Sequence, residues 1–449
     1  MSTTNDTASA STPSTLLQQA MQLHQQGRLD DAEQLYAQVP EGDPQRADAL
    51  HLQGVLCAQR RQFARAQALI WQAIQLQPSE AMFHNNLANV CMELGRPADA
   101  EPLYVRAIEL DSGRLDALNN LGLLLSRTGR AAEAEQLLRR AVELAPENAD
   151  FRQNLANQYM RMDRVSDALQ QCHDGLVSAP RSRMLRGLLV LAYGKLGMQA
   201  KAEQVLRAWI DTDPDDPHPH HHLAAITGQA VPERASDAYV ARLFDGFSTS
   251  FDAKLADLSY QAPQHVAGAL ARLAGSGGKH GPVLDVLDAG CGTGLCGPLL
   301  TPLARTLTGV DLSEGMLRIA HDRGCYDDLF QGELVAFLGS RPAGFDAVVS
   351  ADTLCYFGVL GGFAAAALGA LRPGGWLVFT VEALDDAEPD AVVPGHRLHP
   401  HGRYSHARTH VLVVLMAAGL ANGLAEPVFL RNEGGEPVQG WLVSAQKPF

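Results

Sequence analysis

The stretch that decides the fold of this chain is Val283-Leu-Asp-Val-Leu-Asp-Ala-Gly-Cys-Gly-Thr-Gly-Leu-Cys-Gly297. Its apolar first half predicts a buried parallel strand, and the glycines that follow predict a turn into a helix. Gly290, Gly292 and Gly294 have no Cβ, so backbone amides at this turn can approach a ligand closely. The stretch therefore predicts a binding site for a cofactor of the nucleoside type.

Two cofactors compete for this glycine-rich turn. The spacing Gly292-x-Gly294-x-x-Gly297 matches the dinucleotide fingerprint, in which the N-terminus of a helix binds a pyrophosphate. Asp288-Ala-Gly290-Cys-Gly292-Thr-Gly294 matches the glycine loop of enzymes that use S-adenosylmethionine (SAM). An acid at this position repels a pyrophosphate but suits the ammonium group of the methionine moiety. The turn therefore favours SAM.

Further motifs follow the turn. Residues 306–310 predict a second strand that ends at Asp311, whose carboxylate can bind both ribose hydroxyls of NAD or of SAM. The later motifs are Asp311-Leu-Ser-Glu-Gly-Met316, Gln331-Gly-Glu333-Leu, Phe345-Asp-Ala-Val-Val-Ser-Ala-Asp352 and Leu371-Arg-Pro-Gly-Gly-Trp-Leu-Val-Phe379. From residue 283 to the C-terminus, the order of these motifs resembles that of class I SAM-dependent methyltransferases.

The resemblance implies an α/β, Rossmann-like domain over residues 283–449. Strand-like runs alternate with helical patterns, which predicts a doubly wound parallel sheet. These runs lie at 283–289, 306–311, 328–332, 345–351 and 375–382, with two more at 424–431 and 438–446. The last two suit the C-terminal antiparallel hairpin of the family. We therefore expect a seven-stranded, mostly parallel sheet.

In such a sheet the cofactor lies at the carboxyl ends of the strands. Glu333 stands where the family commonly has Asp beside the adenine amino group, and Asp352 follows the fourth strand. The residues that the resemblance assigns to SAM binding are Asp288, Gly290, Cys291, Gly292, Thr293, Gly294, Asp311, Leu312, Met316, Glu333, Leu334 and Asp352.

Methyl transfer to a hydroxyl or a protonated amine also requires a base. His406 is our first candidate because imidazole titrates near neutral pH, and Tyr404 and Tyr356 are the alternatives. A structural role for His406 at the start of a helix over residues 407–418 is an equal possibility. Cys355 is expected to be a buried packing residue rather than a nucleophile.

The first half of the chain is a repeat array. Small residues recur every 34 positions, at Ala32, Ala66, Ala100, Ala134, Ala168 and Ala202. Gly54 and Gly122 allow paired helices to cross closely, and prolines close most units. This pattern resembles the tetratricopeptide repeat. It predicts an all-α superhelix over residues 15–229, with about six repeats and a capping helix, joined to the methyltransferase-like domain in a multidomain chain.

Three asparagines occupy the same repeat position, at Asn86, Asn120 and Asn154. A ladder of amides in the groove of the superhelix can bind the backbone of an extended peptide. The alternative is that these asparagines merely cap or solvate their helices. The groove hypothesis makes a protein or peptide the expected partner.

Residues 230–282 are predicted to form a linker and a lid. Phe247, Phe251 and Tyr260 lie just upstream of the glycine loop and could exclude water from the cofactor site. A helix packed on the sheet edge is the alternative. The preceding histidines, at positions 218 and 220–222, could bind a transition metal, but a structural role is favoured, so no metal site is assigned.

Composition limits the remaining possibilities. The 449-residue chain has a formal charge of −14, and neither half is basic, which argues against nucleic acid as a partner. Seven scattered cysteines fit a reducing cytoplasm, and no apolar run is long enough for a membrane span. Residues 1–14 are predicted to be a disordered leader.

The tail motifs extend the resemblance. Gly402-Arg-Tyr-Ser-His406, Leu430-Arg-Asn-Glu433 and Pro437-Val-Gln-Gly440 resemble the tail of a bacterial family of predicted methyltransferases that contain tetratricopeptide repeats. The expected function is a SAM-dependent methyltransferase whose repeats bind a protein partner or substrate. A repeat scaffold with an inactive SAM-binding module, a small-molecule methyltransferase and a nicotinamide enzyme are the alternatives. The oligomeric state is left open.

Overall fold

The computed structural model describes residues 13–246, 248, 251–275, 283–384 and 395–449. Most of the predicted leader therefore lies outside the described residues. The chain divides into two compact units, Met1–Met198 and Gln199–Phe449. The first described unit is all-α, and the second contains both helices and strands.

The first unit is a succession of helix pairs. Its helices are α1 (Pro13–Gln25), α2 (Leu29–Gln38), α3 (Arg46–Gln59), α4 (Phe63–Leu76), α5 (Ala81–Glu93), α6 (Pro97–Leu110), α7 (Leu115–Arg127), α8 (Ala131–Leu144), α9 (Ala149–Arg161), α10 (Val165–Ser178) and α11 (Arg183–Lys195). The predicted close crossings are present. A Cβ at Gly54 would lie 2.6 Å from Ile70 Cγ1, and one at Gly122 would lie 2.8 Å from Leu138 Cγ. Larger residues at these two positions would separate α3 from α4 and α7 from α8.

The second unit is built around a twisted sheet. Its helices are α12 (Gln199–Thr212), α13 (Pro217–Thr227), α14 (Asp237–Asp245), α15 (Phe251–Asp257), α16 (Ala262–Leu273), α17 (Gly297–Leu300), α18 (Glu314–Asp322), α19 (Leu334–Gly339), α20 (Gly361–Ala370) and α21 (Arg408–Ala417). Its strands are β1 (Leu284–Ala289), β2 (Ala304–Asp311), β3 (Asp328–Gln331), β4 (Phe345–Ser350), β5 (Leu371–Leu384), β6 (His396–Leu398), β7 (Tyr404–Ala407), β8 (Ala421–Glu433) and β9 (Glu436–Gln446).

The strand order is β3-β2-β1-β4-β5, and these five strands are parallel. Antiparallel β9 pairs with β5 and with β8, which forms the predicted hairpin. Buried residues from α19, α20 and α21 pack against the sheet in one cluster, and α16 and α17 contribute to another. The predicted α/β fold with a mostly parallel sheet is therefore confirmed.

Two short strands were not expected. β7 extends the sheet beside the end of β5, and β6 pairs with β7. The stretch that ends at His406 was predicted to introduce a helix, but residues 404–407 form a fully buried strand and α21 begins at Arg408. Burial on both faces removes the alternation of apolar and polar residues that normally reveals a strand.

Helix α13, predicted to cap the repeat array, belongs to the second compact unit. Its His221 Nε2 lies 2.9 Å from the carbonyl oxygen of Gly402, and the His221 ring lies 4.3 Å from the ring of Tyr239. His222 Nδ1 donates to the carbonyl of Pro400 at 3.1 Å. These histidines therefore have structural contacts within the second unit.

Candidate active site

A cavity of about 410 Å³ lies where four parallel strands end. Its walls include residues 290–293 after β1, 311–312 after β2, 332–334 after β3 and 351–353 after β4. This is the position at which ligands bind in open α/β sheets, and the volume is typical of small-molecule sites.

The cavity brings together most of the residues predicted to bind the cofactor. Those on its walls are Gly290, Cys291, Gly292, Thr293, Asp311, Leu312, Met316, Glu333, Leu334 and Asp352. Asp288 and Gly294 do not line it. Gly294 instead packs behind the loop, because a Cβ there would lie 2.9 Å from Tyr326 Cε2.

Asp288 is buried directly behind the glycine loop. Its Oδ2 accepts a hydrogen bond from the Tyr326 hydroxyl at 2.7 Å, whereas its Oδ1 has no partner among the described residues. Burial raises the pKa of Asp288 to about 7, against the effect of the Tyr326 hydrogen bond. A buried carboxylate oxygen without a partner is costly, so a donor from a ligand would stabilise this site.

Asp311 is held by the backbone of two loops. Its Oδ2 accepts from the Gly292 amide and its Oδ1 from the Ser313 amide, each at 2.9 Å. Each carboxylate oxygen keeps a second lone pair for a ligand. Burial raises the pKa of Asp311, and these two backbone hydrogen bonds oppose the rise. The contacts fix the carboxylate at the end of β2.

Glu333 has a structural role in addition to its place on the cavity wall. Its carboxylate accepts from the amides of Val335 and Ala336, at 3.0 and 2.7 Å, and so caps the N-terminus of α19. An acid directly before a helix is a recognisable capping signal. The residue predicted to lie beside the adenine amino group therefore also caps the start of a helix.

Two of the three predicted catalytic residues are not on the cavity wall. His406 is fully buried, and its Nε2 donates to the carbonyl of Gly358 at 3.2 Å. Burial lowers the pKa of His406 to about 3. The hydroxyl of buried Tyr404 donates to the carbonyl of Pro232 at 2.7 Å. Neither side chain lines the cavity, so the structure does not favour a direct role for either as the base.

Tyr356, the third candidate, does line the cavity. Its ring contacts Phe244 edge to face, with centroids 5.6 Å apart. Burial raises the pKa of Tyr356 well above its usual value, so its phenol stays protonated near neutral pH. Its position suits a wall of the cavity better than a base.

Several cavity residues were missed by the sequence analysis. Arg403, Arg431 and Glu433 line the cavity, and Glu382 lies behind them. Arg431 Nη1 donates to Asp352 Oδ2 at 2.6 Å, and Arg403 Nε donates to Glu382 Oε1 at 2.6 Å. A buried arginine and glutamate inside strands β8 and β5 were the available signal, since charged residues in a buried strand are almost always paired.

The predicted lid segment contributes to the same cavity. Phe251 and Tyr260 are on its walls, whereas Phe247 lies outside the described residues. Asp252 Oδ1 accepts from the Thr293 hydroxyl at 2.6 Å, and Asp252 Oδ2 pairs with Arg323. Helix α15 is thereby joined to the glycine loop.

The asparagines predicted to bind a peptide have partners within the repeats. Each amide nitrogen donates to a residue of the preceding repeat. Asn86 Nδ2 donates to His51 at 2.8 Å, Asn120 Nδ2 to Asn89 at 3.0 Å and Asn154 Nδ2 to Asn119 at 2.8 Å. Because a primary amide has two N–H groups, each asparagine retains one N–H after this contact. The asparagines therefore at least hold neighbouring repeats together.

Within the described ranges, no three His, Cys, Asp or Glu side chains are placed to share a metal ion. None of the described helices has the length and apolar character needed to span a membrane.

Models of known families match both the repeat array and the sheet-containing part of the chain. A family model described as a methyltransferase domain matches residues 287–379. Three models of the tetratricopeptide repeat match residues 13–38, 78–147 and 125–189. The chain joins tetratricopeptide repeats to a methyltransferase domain.

Curated relatives that match part of this chain are methyltransferases. The 18S rRNA (guanine-N(7))-methyltransferase of Bos taurus is 40% identical over 65 residues, which cover 14% of this chain and 23% of the relative. The ubiquinone biosynthesis O-methyltransferase of Thiobacillus denitrificans is 29% identical over 99 residues, 21% of this chain and 43% of the relative. The chain thus spans less than half the length of these relatives.

Solved structures match the repeats. PilW, a type IV pilus biogenesis factor, gives a TM-score of 0.42 at 19% identity, covering 46% of this chain and 96% of PilW. YrrB, a repeat protein with an unusual peptide-binding site, gives a TM-score of 0.33 at 23% identity, covering 38% of this chain and 87% of YrrB.

Proposed function

We propose that the protein is a SAM-dependent methyltransferase and that its repeat array binds a protein partner or a protein substrate. The observation that carries the first part is the convergence of the glycine loop and Asp311 on one cavity, with the Gly292 amide bonded to the carboxylate. The match to the methyltransferase family model supports the same assignment.

The residues of the cavity fit SAM. Asp311 keeps free lone pairs for ribose hydroxyls, and behind the glycine loop Asp288 Oδ1 is buried with no partner among the described residues. Gly292 has φ +53°, and no atom lies within 4 Å of where its Cβ would be, so the backbone leaves room for a ligand. When bound, SAM would supply an electrophilic methyl group. The chain would hold that group in a shielded cavity and orient an acceptor towards it. Holding the two reactants in the correct geometry is how proximity lowers the reaction barrier.

The same carboxylates disfavour the nicotinamide alternative. A pyrophosphate at this loop would lie close to the carboxyl groups of Asp288 and Asp311, and any negative charge on them would repel it strongly where water is excluded. The sulfonium and ammonium groups of SAM are cationic, so the charges at this loop complement them. We therefore propose SAM as the cofactor.

Binding of a protein partner is supported by the repeat family itself, since stacked helix pairs present an extended surface. We retain the groove asparagines, Asn86, Asn120 and Asn154, as proposed contacts through their remaining N–H groups. We also retain 15–229, 230–282 and 283–449 as proposed functional boundaries. The cysteines are all free, which agrees with a proposed cytoplasmic location.

The cofactor proposal is tested by titrating the protein with S-adenosylhomocysteine and, separately, with NADH in a calorimeter. We expect only S-adenosylhomocysteine to bind. Asp311→Ala should weaken its binding by about tenfold or more, which is the effect of losing roughly 1.4 kcal/mol. Asp322→Ala, on the exposed end of α18, is the matched control. Binding of NADH alone, or an unchanged affinity in Asp311→Ala, would contradict the proposal.

Activity is tested by incubating the protein with methyl-labelled SAM and a cell extract. Label in the protein fraction would support a protein acceptor, and label in the small-molecule fraction would support a small acceptor. Cofactor binding without transfer of label to either fraction would favour the scaffold alternative.

A further inference from the structure

One part of the cavity wall is only partly explained by the cofactor, because of its five residues Asp352 alone was assigned to SAM binding. It consists of Asp352, Glu382, Arg403, Arg431 and Glu433, which we term the charged wall. Four of these residues line the cavity, and Glu382 lies behind them. They come from the end of β5, the turn before β7, the end of β8 and the loop after β4. Tertiary structure has therefore brought five charged residues to one side of the cavity.

The charged wall has more carboxylates than guanidinium groups. Arg431 pairs with Asp352, Glu382 and Glu433, and Arg403 pairs with Glu382 and Glu433. Burial would raise the pKa of Glu433, but the hydrogen bond and charge of Arg403 and the charge of Arg431 lower it to about 2. Burial raises the pKa of Asp352, and the charge of Arg431 opposes the rise. With all three carboxylates ionised, the wall carries one negative charge.

The guanidinium donors of Arg431 are largely occupied, and Arg403 is paired through two of its three nitrogens. Nε, Nη1 and Nη2 of Arg431 each donate to a carboxylate of the wall. Nε and Nη2 of Arg403 donate to Glu382 and Glu433. An anionic ligand would have to compete with these buried partners and would meet three carboxylates. The wall therefore does not suit an anion.

Acceptor capacity remains on the carboxylates. Asp352 Oδ1 is buried and has no hydrogen-bond partner among the described residues. The backbone of Asp352 has φ +56°, a strained value for a residue other than glycine, and its amide donates to Thr380 Oγ1 at 2.9 Å. Backbone strain that is maintained by neighbouring contacts is concentrated at functional sites. The contacts with Arg431 and Thr380 hold Asp352 beside the cavity.

Aromatic side chains complete this environment. Phe244, Phe251, Tyr260 and Tyr356 line the same cavity. The faces of aromatic rings attract cations, by about 0.5–2 kcal/mol for each contact. Lys254 also lines the cavity, but its side chain is exposed on α15. Burial, reinforced by the charge of Arg403, lowers the pKa of His401 to about 4, so this histidine adds no charge near neutral pH.

We propose that the charged wall binds a protonated amino group of the methyl acceptor, with the carboxylates of Asp352 and Glu433 accepting its N–H hydrogen bonds. This inference rests on the proposed function, because it assigns the acceptor side of the same cavity. It specifies an amine-bearing acceptor, whether the amine is free or is part of a side chain. The arginines act as positioning residues that orient the carboxylates and favour their ionised forms.

The test uses the full chain saturated with S-adenosylhomocysteine and three probes of similar shape: benzylamine, benzyl alcohol and benzoate. In calorimetric titrations we expect benzylamine to bind at least about tenfold more tightly than the other two probes. Glu433→Gln should weaken benzylamine binding by about fivefold or more, as expected for the loss of a charge-assisted hydrogen bond. The Glu433→Gln variant should bind S-adenosylhomocysteine with unchanged affinity.

Glu436→Gln is the matched control, because it removes an exposed carboxylate from the same hairpin that does not line the cavity. Asp352→Asn is the second variant, and its melting temperature shows whether the fold is intact. Equal or tighter binding of benzoate or benzyl alcohol would overturn the proposal, as would the absence of benzylamine binding at millimolar concentration. If S-adenosylhomocysteine does not bind, the proposed function fails separately, and the same titrations without it still test the charged wall.

Discussion

At the residue scale, Gly290 shows how a single hydrogen atom in place of a side chain shapes the glycine loop. Its φ is +78°, and an added Cβ would lie 2.3 Å from Thr353 Oγ1. Both the left-handed backbone and the close approach to the loop after β4 therefore require glycine. Thr353 Oγ1 also donates to the carbonyl of Gly290 at 3.2 Å, which joins the two loops that border the cavity.

We predict that Gly290→Ala lowers the free energy of unfolding by roughly 2–4 kcal/mol, the sum of left-handed strain and overpacking. Gly324→Ala is the matched control, because Gly324 has φ +65° but no atom within 4 Å of its Cβ position. Strain alone should cost the control about 1 kcal/mol. Urea denaturation of both variants measures the difference. Equal losses would show that the contact with Thr353 is unimportant.

His406 provides a residue-scale prediction about pH. Burial lowers its pKa to about 3 in the folded protein, below the value of about 6.5 in an unfolded chain. Between these values the unfolded chain binds more protons, so stability falls as pH falls, by up to about 1.4 kcal/mol per pH unit. His406→Gln should have a shallower dependence of unfolding free energy on pH between about 6.5 and 4. The same slope in both proteins would contradict the prediction.

At the element scale, helix α15 is joined to the glycine loop by one carboxylate. Asp252 accepts from the Thr293 hydroxyl and pairs with Arg323, and Arg323 Nε donates to the Thr293 carbonyl at 2.5 Å. The exposed helix has no buried residue of its own, so these polar contacts are important for its position. We expect α15 to act as the lid that its sequence predicts.

We predict that Asp252→Asn accelerates the release of S-adenosylhomocysteine by about fivefold, because the loss of a charge-assisted contact costs roughly 1 kcal/mol. Stopped-flow fluorescence measures the release rate. Asp257→Asn, an exposed change on the same helix, is the control and should release the ligand at the rate of the unchanged protein. Equal release rates in all three proteins would show that the contacts of Asp252 do not slow the release of S-adenosylhomocysteine.

The strands show which elements the sequence reveals. β1 is followed by Gly290, β2 ends at Asp311 and β4 lies just before Asp352, so the motifs that mark the ends of these strands allowed their places to be predicted closely. β6 and β7 were missed because they are three and four residues long and include buried histidines. Their polar residues are stabilised by tertiary contacts that no local pattern reveals.

At the scale of the whole molecule, the second compact unit begins before the methyltransferase motifs. Helix α13 contributes His221 and His222, which contact Tyr239 and the carbonyls of Gly402 and Pro400. A boundary placed after residue 229 would remove these contacts from the second unit. The structural boundary after Met198 and the repeat-based boundary after residue 229 therefore predict different stabilities for a protein that begins at each one.

We predict that a protein of residues 199–449 folds with a single cooperative transition. A protein of residues 230–449 should melt at a lower temperature, because it exposes Tyr239 and leaves the carbonyls of Pro400 and Gly402 without their histidine partners. Circular dichroism melting curves compare the two. Equal melting temperatures would show that α12 and α13 do not stabilise the second unit.

The sequence by itself determined the architecture and the position of the proposed cofactor site. A period of 34 residues predicts paired helices, and the glycine loop with Asp311 marks the ends of neighbouring parallel strands. These features depend on the spacing of residues along the chain, which the sequence shows directly. Ten of the twelve residues assigned to the cofactor consequently line one cavity.

Only the tertiary structure decided the rest of the site. His406 and Tyr404 were plausible from their chemistry, but burial behind the cavity removes them from it. Arg403, Arg431 and Glu382 lie on different strands or turns and meet because β5 pairs with both β7 and β9, and β9 pairs with β8. Burial and long-range pairing are properties of packing between distant segments, so local sequence patterns could not specify them.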